Sequence, residues 1–414
     1  MRDDFINLRL PVSAVFWQSA FPSSQRRGGA TASGLARRGG QFGRNVFAGL
    51  PLRLRPVGLA LRALLCAEGN ALRATVLFFV IILAITLPLL PAAPAAPQRI
   101  VAIGDIHGDL DAFSGILQRA HLVDPTRRWS GGNTIFVQTG DFLDRGPKAR
   151  GVMDLLMALQ RDATRQSGRV IVLMGNHEAM NIFGDLRYVA DDDYASFADD
   201  KAKSRPKGVY PSRPAGYVER CEALNADGRY GKWLRTLPAM ARVNDSIFLH
   251  GGISPELAGW TVDKINDAVS GEIKAFDAYK QYLVEKKLAL PCSDLDELTN
   301  AARAASEKAK GKDAEILKGF LAYGGWASMA ENGPLWFRGF AQWTDAEGAP
   351  QVQRLTQAFD VARFVVGHTP QPGQIVSRFD GKVFLIDTGM LSSYVSGGRA
   401  SALEIKDGQV SFIY

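Results

Sequence analysis

Cysteine is scarce in this sequence, since the 414 residues contain only Cys66, Cys221 and Cys292. None of them belongs to a Cys-x-x-Cys pair or lies beside a group of histidines, which argues against a zinc-thiolate site and against a thioredoxin-type dithiol. Cys221 and Cys292 could pair in an oxidising compartment, or both could be buried thiols. The sequence leaves these two interpretations open.

Acidic side chains are rare at the start of the chain. Residues 1–73 contain eleven arginines, no lysine and three acids, so this stretch alone carries a formal charge of +8. The whole chain carries +7, and residues 74–414 hold 38 basic and 39 acidic residues. A nearly neutral body lacks the basic surface that nucleic acid requires, so we predict no nucleic-acid partner.

Long apolar runs are also lacking, apart from Val76–Leu90. These fifteen residues are short for a membrane helix, which needs about 20. Arginines precede the run and small residues follow it, a pattern typical of a secretory signal cleaved near Ala95 or Ala96. We therefore predict an Arg-rich leader, residues 1–96, largely unstructured outside the apolar run, and a periplasmic or secreted body, residues 97–414. One alternative is an uncleaved inner-membrane anchor at about residues 75–91, which would be the chain's only contact with the membrane. Another is that the start codon is misassigned and lies too far upstream.

From Arg99 onward, short apolar runs alternate with helical patterns. Two amphipathic segments, Leu110–Ala120 and Ala149–Gln160, separate the first three runs and predict a βαβαβ opening, hence an α/β fold. The runs that read as buried strands are Arg99–Ile103, Thr134–Val137, Val170–Met174, Ser246–Leu249 and Phe364–Val366. Near the end, Asp-Gly turns separate short segments that predict mostly antiparallel strands.

Two long stretches lack this rhythm of strands: about 185–241 and 255–333. The second is rich in Ala, Lys and Glu and predicts helices. Solvated surface helices and loops are the simplest interpretation of their charge runs. Because both stretches follow strand ends that carry polar clusters, they are also placed where a substrate-selecting lid would be.

Five polar clusters stand where predicted strands end. They are Gly104–Gly108 (GDIHG), Gly140–Gly146 (GDFLDRG), Gly175–Glu178 (GNHE), His250–Gly252 (HGG) and Gly367-His368. Four of the five histidines lie in these clusters, and His121 is the exception. Carboxyl ends of strands in an open α/β sheet converge on one crevice, so we expect these clusters to meet there.

Imidazole, carboxylate and amide donors together suit divalent cations such as Mn, Fe or Zn. Hydrolysis of phosphate esters benefits from two cations about 3.5–4 Å apart, which require a bridging carboxylate. Asp141 is our prediction for the bridge, because its strand is the middle one of the opening and a donor cluster lies on either side.

The five motifs in this order resemble those of the calcineurin-like metallophosphoesterases, specifically the phosphoprotein phosphatase branch. The resemblance spans Arg99 to about Gly389 and implies two mixed sheets packed as a sandwich and flanked by helices. It also implies two divalent metal ions, Mn first and Fe or Zn next. The implied ligands are Asp105, His107 and Asp141 on one metal, and Asp141, Asn176, His250 and His368 on the other.

The resemblance assigns the remaining polar residues to catalysis. A hydroxide bridging the metals would be the nucleophile, His177 would be the general acid, and Asp144 would orient its imidazole. Arg145 and Arg338 would hold the phosphate. For Arg338 a charge at an aromatic core edge is the alternative.

Other features narrow the resemblance. The chain lacks the Ser-Ala-Pro-Asn-Tyr-Cys element of Ser/Thr phosphatases, and its Leu-Trp-Phe-Arg-Gly segment and long insertions look like the Shewanella-like protein phosphatases. This implies a phosphorylated protein or a small phosphomonoester as substrate.

Two competing hypotheses concern function. Dinucleoside polyphosphate hydrolases share the early motifs, but Glu178, Asp144 and the Leu-Trp-Phe-Arg segment favour a monoesterase. A non-catalytic metal-bearing scaffold would not need a proton donor, so the set of Asp144, Arg145 and His177 argues against it.

Overall fold

The computed structural model describes residues 98–198, Tyr210 and residues 212–414. The predicted leader and its apolar run therefore lie outside the described residues. Within those residues, no helix combines the length and the apolar character needed to cross a membrane.

Two five-stranded mixed sheets form the centre of the fold, with strand orders β10-β9-β1-β2-β3 and β4-β5-β6-β8-β7. In the first sheet β1, β2 and β3 are parallel, and in the second β5, β6 and β8 are parallel. The strands are β1 (Ile100–Ile103), β2 (Ile135–Gln138), β3 (Arg169–Val172), β4 (Met240–Val243), β5 (Ser246–Leu249), β6 (Arg363–Val366), β7 (Val376–Arg378), β8 (Val383–Leu385), β9 (Ala402–Lys406) and β10 (Gln409–Ile413).

Alternation along the strands explains why the two sheets pack against each other. Ile100 and Ala102 of β1 face a core that also contains Phe248 and Val365 of the second sheet. Val101 of the same strand faces the opposite way, into the core beneath the helices. Successive side chains of a strand point to opposite faces, so a strand that is apolar throughout is covered on both sides. The predicted α/β sandwich flanked by helices is confirmed.

Helices cover the outer faces and fill the insertions. The first begins at Asp109, whose carboxylate accepts a hydrogen bond from the Ala112 amide and so caps the helix. The helices are α1 (Leu110–Arg119), α2 (Ala149–Thr164), α3 (Asn176–Phe183), α4 (Asp191–Ala195), α5 (Tyr217–Leu224), α6 (Arg229–Leu234), α7 (Val262–Glu285), α8 (Leu295–Ser306), α9 (Gly311–Leu321), α10 (Gly339–Gln342) and α11 (Asp345–Phe359).

The two predicted insertions are largely helical. The first carries α4, α5 and α6 and the second carries α7, α8 and α9. A disulfide between Cys221 of α5 and Cys292, which precedes α8, joins the two insertions and decides between the two interpretations of these cysteines. The sequence did not predict β4, which pairs antiparallel with β5, so the first insertion ends two residues earlier than we expected.

Candidate metal centre

The predicted polar clusters meet where the parallel strands of both sheets end. Asp105 and His107 follow β1, Asp141 follows β2 and Asn176 follows β3. The second sheet contributes His250 after β5 and His368 after β6. His121, by contrast, lies exposed after α1.

Asp141 lies at the centre of the cluster, close to three of its histidines. Its Oδ2 atom lies 3.2 Å from His250 Nε2, 3.9 Å from His107 Nε2 and 3.8 Å from His177 Nε2. The other oxygen, Oδ1, accepts a hydrogen bond from the His177 amide. One carboxylate therefore faces two groups of donors, one with His107 and one with His250 and His368. This is the position that a bridging ligand requires.

Backbone carbonyls orient three of the imidazoles. Nδ1 of His107 contacts the Leu143 carbonyl at 3.0 Å, and Nδ1 of His250 contacts the Thr139 carbonyl at 3.0 Å. For His368 it is Nε2 that contacts a carbonyl, that of Trp336. A carbonyl partner fixes the tautomer, since that nitrogen must carry the proton, and it leaves the other nitrogen with a lone pair for a cation.

The remaining predicted ligands lie in the same cluster. Asn176 Oδ1 is 2.9 Å from His250 Nε2, which is in turn 3.1 Å from His368 Nδ1. Asp105 Oδ2 is 4.0 Å from His107 Nε2, and the His368 amide donates to both Asp105 oxygens. All six predicted ligands are thus brought together.

The charge balance of this cluster fits divalent cations. Burial and the neighbouring carboxylates Asp387 and Asp141 raise the pKa of Asp105 well above its usual range. Asp141 is also buried, but the imidazoles of His250 and His177 hold its pKa well below the usual range. Among the described residues, neither Asp105 nor Asp141 forms an ion pair with a lysine or arginine. Buried carboxylates without a cationic partner are costly, and two divalent ions would neutralise them.

His177 differs from the other histidines of the cluster in its partner. Its Nδ1 atom lies 2.7 Å from Asp144 Oδ2, and the Asp144 side chain is completely buried. Burial opposes it, but Asp141 and Asp144 together raise the pKa of His177 above its usual value. An imidazole that holds its proton beside a metal cluster is suited to donate it. Geometry alone also groups His177 with His107 and Asp141 as donors for a cation, so its exclusion from the ligands stays a prediction.

The predicted phosphate-binding arginines lie beside different histidines. Arg145 is close enough for its charge to act on two imidazoles. Burial, with a contribution from this charge, lowers the pKa of His107 to about 4. At His177 the same charge opposes the carboxylates that raise the pKa. Its Nε atom is buried and has no hydrogen-bond partner within the described part of the chain. Arg338 donates to the His368 carbonyl at 2.9 Å. The two guanidinium groups therefore lie on different sides of the cluster.

Two tyrosines that the sequence did not single out enclose Arg145. The guanidinium carbon lies 4.5 Å from the ring centre of Tyr188 and 3.8 Å from that of Tyr394. Tyr188 also contacts the ring of His177, and Tyr394 contacts that of His107. Both tyrosines stay more than a third exposed, so they form walls at the mouth of the site. Tyr188 belongs to the first insertion, which thereby reaches the site; whether it closes as a lid stays a prediction.

Two buried acids of the site, Asp387 and Glu178, were not among the predicted site residues. Asp387 follows β8 and is buried, and its charge is among the causes that raise the pKa of Asp105. Asp387 is a polar residue after a buried strand, which is the same signal that identified the five polar clusters. Glu178 accepts hydrogen bonds from the amides of Asp141 and Gly175 at 2.7 and 2.8 Å, and so ties the loop after β2 to the loop after β3.

The backbone turns sharply where these residues emerge. Five non-glycine site residues have positive φ angles: His107 (47°), Asp141 (56°), Asp144 (64°), Arg145 (65°) and His368 (69°). Each such conformation costs on the order of 1 kcal/mol and persists only where the surroundings impose it. Glycine is required where loops approach most closely, because a Cβ atom on Gly175 would collide with the Asp141 carboxylate.

Sequence comparison with known proteins identifies related phosphatases. The sequence profile of the calcineurin-like phosphoesterases matches residues 98–372. The chain is 30% identical to the Shewanella-like protein phosphatase 2 of Arabidopsis thaliana, over 75% of each chain. It is 29% identical to the Shewanella-like protein phosphatase 1 of Plasmodium berghei, over 76% of this chain and 74% of that one.

The fold is similar to a crystal structure of a cold-active protein-tyrosine phosphatase from a psychrophilic Shewanella. The TM-score is 0.54 and the identity 27%, over 77% of this chain and 78% of that one. The resemblance inferred from the five motifs is confirmed.

Proposed function

Because the chain belongs to the calcineurin-like phosphoesterase family, we propose that this metallophosphoesterase is a phosphomonoesterase that acts on phosphorylated proteins and prefers phosphotyrosine. The family accounts for a phosphoester hydrolase with a dinuclear metal centre. The substrate preference goes further. It rests on one observation, the enclosure of Arg145 by Tyr188 and Tyr394 next to the donor His177.

The site provides charge for a dianionic phosphate. Two divalent ions held by the six ligands would polarise the phosphoryl group and activate a water molecule. Arg145 has an unpaired buried Nε–H beside the cluster, and Arg338 provides a second guanidinium near His368. Planar guanidinium groups bind two phosphate oxygens at once, so two of them suit a group with three free oxygens.

His177 is positioned to protonate the leaving oxygen. Its Nε2 atom faces Asp141, while Nδ1 is held by Asp144. Asp144 thus fixes which nitrogen faces the substrate and stabilises the imidazolium before the proton is transferred. In this arrangement the organic group of the ester departs on the side of His177, where the Tyr188 ring lies.

An aromatic leaving group fits this side of the site best. The rings of Tyr188 and Tyr394 are exposed and stand on either side of Arg145. Stacking between aromatic rings contributes about 0.5–1.5 kcal/mol, or roughly 2–10-fold in binding. A phosphotyrosine ring gains this contact, and a phosphothreonine side chain does not. The name of the Shewanella neighbour agrees with this preference.

A turnover panel tests the proposal. The purified protein, loaded with Mn, is assayed on phosphotyrosine and phosphothreonine peptides of the same sequence, a phosphodiester and diadenosine tetraphosphate. We expect the highest kcat/KM for the phosphotyrosine peptide. Tyr188→Ala should lower that value by roughly 2–10-fold and leave the phosphothreonine value unchanged, while Tyr188→Phe keeps the ring and serves as the matched control.

Two outcomes would contradict this function. Faster turnover of diadenosine tetraphosphate than of either peptide would make the chain a dinucleoside polyphosphate hydrolase. Equal loss on both peptides in Tyr188→Ala would remove the basis for a tyrosine preference.

The identity of the metals and the compartment are also proposals. We infer Mn, with Fe or Zn as alternatives, from the mixture of imidazole, carboxylate and amide donors. Reconstituting the metal-free protein with each ion and comparing kcat tests this choice.

We further propose that the protein is exported, since the disulfide between Cys221 and Cys292 suits an oxidising compartment. Fractionation of expressing cells followed by N-terminal sequencing tests export. A mature chain that begins near Pro97 supports cleavage, whereas an intact chain in the membrane fraction supports an anchor.

A further inference from the structure

A buried arginine stands behind the dyad of Asp144 and His177. Arg220 belongs to α5 in the first insertion, and its side chain is 3% exposed. Its Nε donates to Asp193 Oδ2 at 2.8 Å, and its Nη2 donates to Asn181 Oδ1 at 2.7 Å. The same Nη2 atom is 4.0 Å from Asp144 Oδ1. Nothing in the five family motifs accounts for a buried charge here.

We propose that Arg220, acting through Asn181 and balanced by Asp193, is a positioning residue that locks the Asp144 carboxylate in the orientation that holds His177 for proton donation. This deepens the proposed function and rests on it, because it requires His177 to be the proton donor.

Asn181 is the link between the arginine and the dyad. Its Nδ2 donates to Asp144 Oδ1 at 2.8 Å and to the His177 carbonyl at 2.8 Å, while its Oδ1 accepts from Arg220. The amide cannot flip without exchanging a donor for an acceptor at both ends. Each oxygen of Asp144 then has one partner, Asn181 on Oδ1 and His177 on Oδ2.

Charge explains why an ion pair is used rather than a neutral contact. Asp193 and Asp144 are both completely buried, and the guanidinium of Arg220 lies between them. Asp193 forms the closer ion pair with Arg220, at 2.8 Å, and Asp144 lies 4.0 Å from the same guanidinium. A buried pair adds little to stability compared with apolar residues, so its presence suggests a role in orientation.

The consequence concerns proton transfer and not substrate binding. Without the hydrogen bonds from Arg220 and Asn181, Asp144 can rotate and the imidazole of His177 loses its fixed direction. The kcat should then fall most for esters whose leaving group needs a proton. Phenyl phosphate needs protonation of its leaving oxygen, whereas p-nitrophenyl phosphate depends on it much less. The two esters have the same ring, so the tyrosine walls affect both similarly.

The test compares kcat and KM on these two esters for four variants of the full chain. Arg220→Met/Asp193→Asn removes both charges and so leaves no unpaired buried ion. Asn181→Ala breaks the link alone. Arg220→Lys keeps the charge but lacks the planar fork. The matched control is Arg235→Met, since Arg235 lies in the same insertion and forms an ion pair with Asp277 at 2.7 Å away from the dyad.

We expect the double variant to lose about 10-fold or more in kcat on phenyl phosphate and less than about threefold on p-nitrophenyl phosphate, the direction expected when a general acid is impaired. KM should stay within about twofold of the wild-type value. Asn181→Ala should show the same split, Arg220→Lys a smaller one, and Arg235→Met none.

Three results would overturn the inference: equal loss on both esters, a rise in KM alone, or the same split in Arg235→Met. If the double variant does not fold, Arg220→Lys and Asn181→Ala still decide the matter. A wild-type protein that hydrolyses neither ester would contradict the proposed function itself, which distinguishes the two failures.

Discussion

The four histidines of the cluster differ in the hydrogen-bond partner that orients the imidazole ring. His107, His250 and His368 face backbone carbonyls, whereas His177 faces the Asp144 carboxylate. A carbonyl fixes which ring nitrogen carries the proton and leaves the other nitrogen for a cation, whereas the carboxylates of Asp141 and Asp144 raise the pKa of His177 against the effect of burial. These hydrogen bonds agree with the predicted division into three histidine ligands and one proton donor, which stays a prediction.

His177→Ala tests that division. We expect the variant to keep both metals and to lose about 10²–10⁴-fold in kcat, the usual effect of removing a general acid. Elemental analysis and steady-state kinetics on the same preparation provide the measurement. A fall in metal content parallel to activity would show that His177 is a ligand.

Asp141→Asn tests the bridge. The amide keeps the size of the carboxylate but removes the negative charge that Asp141 would offer to both cations. We expect both metals to be lost together on dialysis, because Asp141 would be a ligand of each. Loss of one ion with retention of the other would contradict bridging, and an Asn176→Ala variant, which should weaken one site only, is the comparison.

Among the elements, strands were easier to predict than the insertions. Buried parallel strands are apolar throughout, and Asp105, Asp141 and His250 follow them directly, so the sequence pattern located the site. Arg220 and Asp193 could not be found this way. They lie in a region without strand periodicity, and Arg220 contacts Asn181 and Asp144, which lie 39 and 76 residues earlier in the chain. Only the folded chain brings such residues together.

Lys280 of α7 should make the stability of the protein depend on pH. Burial, with the nearby charge of Arg235, lowers its pKa from the usual 10.5 to about 8. Between these pH values the unfolded chain binds more protons, so this lysine makes the free energy of unfolding rise with pH across that window and is most costly below pH 8.

Lys280→Met should therefore be more stable than the wild type at pH 7 by about 1 kcal/mol, once partial exposure is taken into account, and most of the advantage should be lost as the pH approaches 10.5. Urea unfolding at both pH values measures the difference. An advantage that does not change with pH would show that packing, and not charge, is responsible.

For the molecule as a whole, the metal centre joins the two sheets. Asp105, Asp141 and Asn176 come from one sheet, and His250 and His368 come from the other. The family resemblance implied the sandwich, and the convergence was expected because each predicted ligand follows a run that reads as a buried strand. It could not predict how the late strands divide, with β7 and β8 in the second sheet and β9 and β10 in the first, since short antiparallel runs carry no sign of their partner.

Removal of the metals should therefore loosen the whole sandwich. We expect a chelator to lower Tm by roughly 5–15 °C, since ions that bind only the folded state stabilise it and the repelling carboxylates are then left unpaired. Differential scanning calorimetry with and without EDTA measures the shift. Asp141→Asn, which we expect to lack the ions already, should show little response, and an equal shift in that variant would contradict the explanation.

The disulfide between Cys221 and Cys292 encloses β4, β5 and His250 in a covalent loop. A single proteolytic cut within that loop would leave two polypeptides that still migrate as one species in a denaturing gel. They would separate only after a thiol is added. Apparent homogeneity without reductant is therefore no guarantee of an unbroken backbone in this protein, and a nicked molecule could be purified and assayed as if it were whole.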